Sequence, residues 1–111
     1  MYAIFEELCE NKGVSAYRVA QETGVTTSTL TAWKQGKYEP KRDKLQKLAD
    51  YFGVPIDYIE NGKINGFSDE DAKLVAMIRS DKKLSEALII YSYLSEEKKD
   101  HVLKTIKLLS N

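Results

Sequence analysis

The sequence predicts an all-α protein: five short helices forming one domain, then about three further helices. Apolar residues recur at i, i+3 and i+4 in segment after segment, the spacing that lines one face of a helix. Glycines stand where these patterns break, at Gly13, Gly36, Gly53 and Gly62, and small hydroxyl residues stand where several begin, at Ser15, Thr26, Ser68 and Ser95. The stretches between are only a few residues long, as in a compact helical bundle.

The first helix is expected over residues 2–12, with Phe5, Leu8 and Cys9 on one face and Tyr2 or Met1 extending it. Gly13 ends it at the position where a left-handed residue closes a helix. Val14 points inward and Ser15 caps a second helix, Ala16 to Glu22, whose inner residues are Val19, Ala20 and Thr23. Gly24 sits in a tight turn that needs positive φ. Val25 plugs the turn, and Thr26 caps a third helix over 26–35 that stops at Gly36. Pro40 keeps Lys37–Lys41 out of helix. A fourth helix starts near Arg42 and aligns Leu45, Leu48, Ala49 and Phe52; a short fifth follows Pro55, with Ile56 and Ile59 facing in. Trp33 and the three phenylalanines should matter most in this small core.

The boundaries that follow are 1–62 for the first domain, 63–67 for a linker and 68–111 for a helical C-terminal segment. In that segment Ser68-Asp-Glu-Asp71 opens a helix to about Ser80, with Leu74, Val75 and Ile78 on one side. A second begins near Asp81 with the stripe Leu84, Ala87, Leu88, Tyr91 and Leu94, widened by Ile90. A third begins at Ser95 with Val102, Leu103, Ile106 and Leu109 facing one way. Three such stripes do not stand alone in water. They pack on the first domain or pair with a second copy.

The chain has 111 residues, 42% hydrophobic and 31% charged, with formal net charge zero, which argues against disorder. One cysteine allows no intrachain disulfide and no multi-cysteine metal site. The longest apolar run, Ala87–Tyr91, is too short for a bilayer, and the N-terminus lacks a basic leader followed by an apolar stretch. A cytoplasmic protein with no membrane partner is the expectation. No nucleophile–base pair, metal cluster or glycine-rich phosphate loop is visible, so no enzyme, cofactor or metal is expected. The neutral total conceals a partition: residues 1–25 carry net −2, residues 26–47 net +4, residues 48–67 net −2, and residues 68–111 balance.

The positive segment coincides with the oddest helix. Thr26, Thr27, Ser28, Thr29 and Thr31 are short hydroxyl residues and poor helix formers, while Leu30 and Trp33 form the only strong apolar edge. Such a helix is held from behind and touches something in front, and the leading candidate is the major groove of DNA. The ordered set Leu8, Lys12-Gly13-Val14-Ser15, Val19-Ala20, Gly24-Val25-Thr26, Ser28-Thr29-Leu30, Trp33, Gly36-Lys37, Glu39-Pro40, Leu45, Leu48-Ala49, Phe52-Gly53-Val54 and Ile56-Asp57 runs through all five elements. Over residues 5–61 the chain resembles the lambda-repressor-like (phage-repressor, XRE) helix-turn-helix regulators.

The resemblance implies that the third helix lies in the major groove, its N-terminal residues on base edges, while the second crosses the backbone. By position, Thr27 and Ser28 reach bases first and Thr31 and Ala32 follow one turn on. None makes the bidentate contact of Arg with guanine or Gln with adenine, so readout leans on methyl contacts, water and DNA shape. Phosphate contacts are expected from Arg18, Thr26, Lys34, Gln35, Lys37, Tyr38, Lys41 and Arg42, and Lys44 and Lys47 are as readily plain surface. Thr29 faces the fold. Two departures from the family stand out. Ala16 occupies the place of a phosphate-clamping glutamine. Cys9 and Lys34 replace an arginine–glutamate pair, which makes Cys9 a core residue and frees Lys34 to reach out or towards Glu10.

The resemblance also implies a double-stranded DNA operator read by a homodimer with half-sites about 34 Å apart or a multiple of that. Residues 81–110 are the expected dimerisation segment, through Leu84, Leu88, Tyr91, Leu94, Val102, Ile106 and Leu109; His101 is read as surface. The function implied is a sequence-specific transcription regulator, a repressor. The alternatives are an antitoxin that regulates its own operon and binds a toxin, a protein-interaction module that does not bind DNA, and a sensor with a ligand pocket among residues 68–110.

Overall fold

The computed structural model describes residues 1–110. These form α1 (Tyr2–Lys12), α2 (Ala16–Thr23), α3 (Thr27–Lys34), α4 (Arg42–Phe52), α5 (Ile56–Asn61), α6 (Asp69–Ser80), α7 (Lys82–Ser92) and α8 (Glu96–Leu109). No described helix is long and apolar enough to cross a membrane.

The helix ends follow local chemistry. Ser15, Thr26, Ser68, Asp81 and Ser95 each accept a hydrogen bond from the backbone N–H three residues on. Gly24, at φ 79°, lets α2 stop and α3 start within three residues, a conformation that penalises any residue with a Cβ. Three helix ends move by a residue. Helix α2 runs on to Thr23, whose hydroxyl donates to the Val19 carbonyl at 2.7 Å and accepts from Val25 N–H at 3.2 Å. Helix α3 is shorter than 26–35, because Thr26 is its cap and Gln35 closes it before Gly36.

The core joins all five N-terminal helices. Phe5, Leu8, Val19, Val25, Leu30, Leu48, Phe52 and Ile59 are almost completely buried, and Trp33 packs edge-on to Tyr2 at 5.4 Å and tilted against Phe5 at 5.6 Å. Cys9 lies in this core, and burial, followed by the Glu6 and Glu10 carboxylates, pushes its thiol up to about 11. Phe67 does not join the core; it sits in the linker and is 52% exposed. In α5, Tyr58 is buried with Ile59 while Ile56 only flanks the core, so the short helix is rotated from the expected face.

The C-terminal segment divides. Helix α6 packs on α1, bridged by Lys73 Nζ to Glu7 Oε1 at 3.2 Å. Its buried face is Ala72, Ala76 and Ser80, not Leu74, Val75 and Ile78. Small residues at every fourth position let two helix axes approach closely, and the larger side chains are displaced to the flanks. Helix α7 follows α6, held where the Ser85 hydroxyl donates to the Ile78 carbonyl at 2.6 Å. No residue of α7 or α8 is buried. The single larger bundle therefore ends at α6, and the remainder extends the molecule to 52 × 29 × 25 Å.

Candidate nucleic-acid interface

The candidate site is built on α3. Leu30 and Trp33 fasten the helix to the core, at 2% and 6% exposure. With about 100° between successive residues, Ser28 then points farthest from the core, flanked by Thr31 on one side and Ala32 on the other. Thr27, Ser28, Thr31 and Lys34 are exposed, and Ala32 is half-buried. Thr26 and Thr29 are drawn aside: the Thr26 hydroxyl accepts from Thr29 N–H at 3.2 Å and lies 2.9 Å from the Thr29 hydroxyl. Their capping role is thus filled within the chain. The exposed side of the helix keeps three hydroxyls, at Thr27, Ser28 and Thr31, without a partner among the described residues.

The cations gather beside this face. Gly36, at φ 73°, turns the chain after α3, with Lys37 N–H bonded to the Ala32 carbonyl at 2.9 Å. This places Lys37, Tyr38 and Lys41 on an exposed loop leading into α4. Gly36, Lys37, Tyr38 and Glu39 line a shallow groove against Trp33 and Met1, so the loop lies directly over the base of α3. Pro40 is buried and anchors the loop, a role its sequence context did not reveal. The first turn of α4 has no side-chain cap and contains Asp43, which offsets part of the attraction its free N–H groups offer an anion.

The expected phosphate residues split into two groups. Lys34, Gln35, Lys37, Tyr38 and Lys41 are exposed and have no ion-pair partner among the described residues; Lys34 does not reach Glu10. Arg18 and Arg42 are already engaged, Arg18 Nε with Glu22 Oε1 at 3.1 Å and Arg42 with Glu60 Oε1 at 2.9 Å. The Arg18 pair at i, i+4 was within reach of the sequence. The Arg42 pair spans 18 residues and needed the fold.

A second groove runs between α2 and α3. Its walls are Ala16 and Tyr17 on one side and Thr27, Thr31 and Lys34 on the other, with Leu30 and Tyr2 at its floor. Tyr17 was not among the expected contacts.

The expected dimerisation residues lie on α7 and α8, except Leu94, which sits in the turn between them. Leu88, Ile106 and Leu109 are 40%, 56% and 81% exposed, and Leu84, Tyr91, Leu94 and Val102 are half-buried. Ile89, Ile90, Leu103 and Leu108 add to the uncovered apolar area. Among the described residues no cluster of His, Cys, Asp and Glu could hold a metal ion.

Comparison with known proteins accords with this arrangement. The family described as "Helix-turn-helix" matches residues 5–59. An "Uncharacterized HTH-type transcriptional regulator" of Haemophilus influenzae is 47% identical over 45 residues, 40% of this chain and 19% of that protein. The "Cryptic phage CTXphi transcriptional repressor RstR" of Vibrio cholerae is 28% identical over 85 residues, 76% of this chain and 77% of that protein. This chain thus spans about a fifth of the length of one relative and about three quarters of the other. No solved structure matches it at a significant level.

Proposed function

The chain belongs to the helix-turn-helix family through residues 5–59, and from that premise we propose that it is a sequence-specific DNA-binding transcription regulator acting as a repressor. The observation that carries the reading is the outward face of α3, where unpartnered hydroxyls at Ser28 and Thr31 stand beside the unpaired cations Lys34, Lys37 and Lys41. A helix of this length is roughly 12 Å long and fits a major groove about 12 Å wide. Thr27, Ser28, Thr31 and Ala32 read base edges and thymine methyl groups. Thr26, Lys34, Gln35, Lys37, Tyr38 and Lys41 hold phosphates, joined by Arg18 and Arg42 when their carboxylate partners yield.

The protein works as a homodimer. An isolated module of this size buries little DNA-facing surface, and the apolar residues left uncovered on α7 and α8 supply a self-complementary patch. Repression follows from occupancy of an operator, and the similarity to a phage transcriptional repressor supports that direction.

Selection of bound sequences from random double-stranded DNA with the purified chain tests both parts. A palindromic consensus is the expected outcome. Absence of any enriched sequence at low salt would overturn the regulator reading, and an enriched single half-site would overturn the dimer.

A further inference from the structure

We propose that Tyr17 is a DNA-backbone contact, its phenol donating to a phosphodiester oxygen of the strand that passes between α2 and α3. The inference rests on the DNA-binding reading and deepens it: Tyr17 carries no charge and was not among the expected contacts.

Three observations combine. Tyr17 is 62% exposed on the first turn of α2, so it adds little to the core. Its hydroxyl accepts from Gln21 Nε2 at 3.1 Å, which leaves the phenolic proton free to be given away. Accepting one hydrogen bond also polarises the hydroxyl towards donating the next. Finally, Tyr17 faces Thr27, Thr31 and Lys34 across one groove, where Ala16 adds only a methyl group. The groove is therefore open, polar at its rim and cationic on the α3 side.

A phosphodiester strand fits that chemistry. When α3 enters the major groove, the preceding helix crosses the backbone flanking it. The strand there meets the Lys34 ammonium from one wall and the Tyr17 hydroxyl from the other. An O–H donated to an anionic oxygen is short and charge-assisted. Tyr17 thus contributes register and affinity without adding charge, in a chain whose net charge is zero.

The test compares the full chain with Tyr17→Phe and Lys34→Ala, on the selected operator and on a mixed-sequence duplex, each across a salt series. Tyr17→Phe removes one hydroxyl from an exposed ring and leaves the helix intact, which circular dichroism verifies. The expected loss is about ten-fold in affinity on both DNAs, the lower end for a hydrogen bond to a charged group, with the salt slope unchanged. Lys34→Ala should lower that slope by about one. Wild-type binding that Tyr17→Phe leaves unaltered overturns this inference alone. A loss confined to operators with one particular base pair also overturns it, because Tyr17 would then read a base. A wild-type chain that binds neither DNA overturns the DNA-binding reading and this inference with it.

Discussion

Ile106→Ala probes the assembly without touching the DNA-facing helix. Ile106 is 56% exposed on α8, a helix with no buried residue. Fully burying an isoleucine side chain is worth about 1.5–3 kcal/mol, so covering the exposed half at an interface contributes about 1–1.5 kcal/mol. In a two-fold symmetric dimer the same patch is used twice, so one substitution removes two such contributions, about 2–3 kcal/mol. The dimer dissociation constant should therefore rise roughly 30- to 150-fold. Sedimentation equilibrium over a concentration series measures this directly, and melting at concentrations where the chain is monomeric supplies the control. The monomer should melt as before, because Ile106 supports nothing in the N-terminal core. An unchanged dimer constant would refute the reasoning, as would a chain ending at residue 80 that still dimerises. A lowered melting temperature of the monomer would refute the premise that Ile106 stands clear of the monomer fold.

Lys41→Ala should weaken binding to all sequences alike and reduce the slope of log affinity against log salt by about one; a loss on one operator only would remove its phosphate role. Ser28→Ala should relax preference at one base pair by about 1 kcal/mol, read from a repeated sequence selection, and an unchanged profile would take Ser28 off the reading face. Trp33→Ala should cost about 3–5 kcal/mol in chemical denaturation, because it empties a site closed by Tyr2 and Phe5; a loss near zero would mean that α3 is held by something else. Burial raises the Cys9 thiol from 9.0 to about 11, so its contribution to stability is complete below the lower value and is lost as pH rises through the higher. Cys9→Val should flatten that alkaline decline in melting temperature, and an identical pH profile would sink the assignment.

The helix ends were legible because they depend on neighbours in sequence. A hydroxyl three residues before an amide, or a glycine after the last apolar position, acts over one turn. The face of α6 was not legible for the opposite reason. Leu74, Val75 and Ile78 satisfy the periodicity, yet Ala72, Ala76 and Ser80 are the buried residues of a helix that packs on α1. A close crossing selects small residues, and a hydrophobicity pattern does not show where a crossing will fall. Tyr58 was missed in the same way, since α5 packs on α1, remote in sequence, and the burial of Pro40 likewise has no local signature. At the candidate site, the hydroxyl face of α3 could be read once Leu30 and Trp33 fixed its back. Tyr17 could not, because its relation to Thr27 and Lys34 appears only when two helices are set side by side.

The neutral total charge constrains how such an interface works. Exposed charges separated by more than about 8 Å are largely screened at physiological salt, so the balanced C-terminal segment cannot cancel the field around α3. What a phosphate meets is the local excess of +4 over residues 26–47. The acidic residues nearest the flanks are employed on the arginines, with Glu22 beside Arg18 and Glu60 beside Arg42. Exposed pairs of this kind are worth about 0–1 kcal/mol, so exchanging a carboxylate for a phosphate costs little and gains little. In the proposed complex the arginines thus contribute geometry more than net attraction, and the unpaired lysines supply the affinity. On the proposed reading, so few unpaired cations per chain make non-specific attachment weak. In the proposed dimer, occupancy of a target then depends on two reading heads held at one spacing, which would tie the polar face of α3 to the apolar surface of α7 and α8.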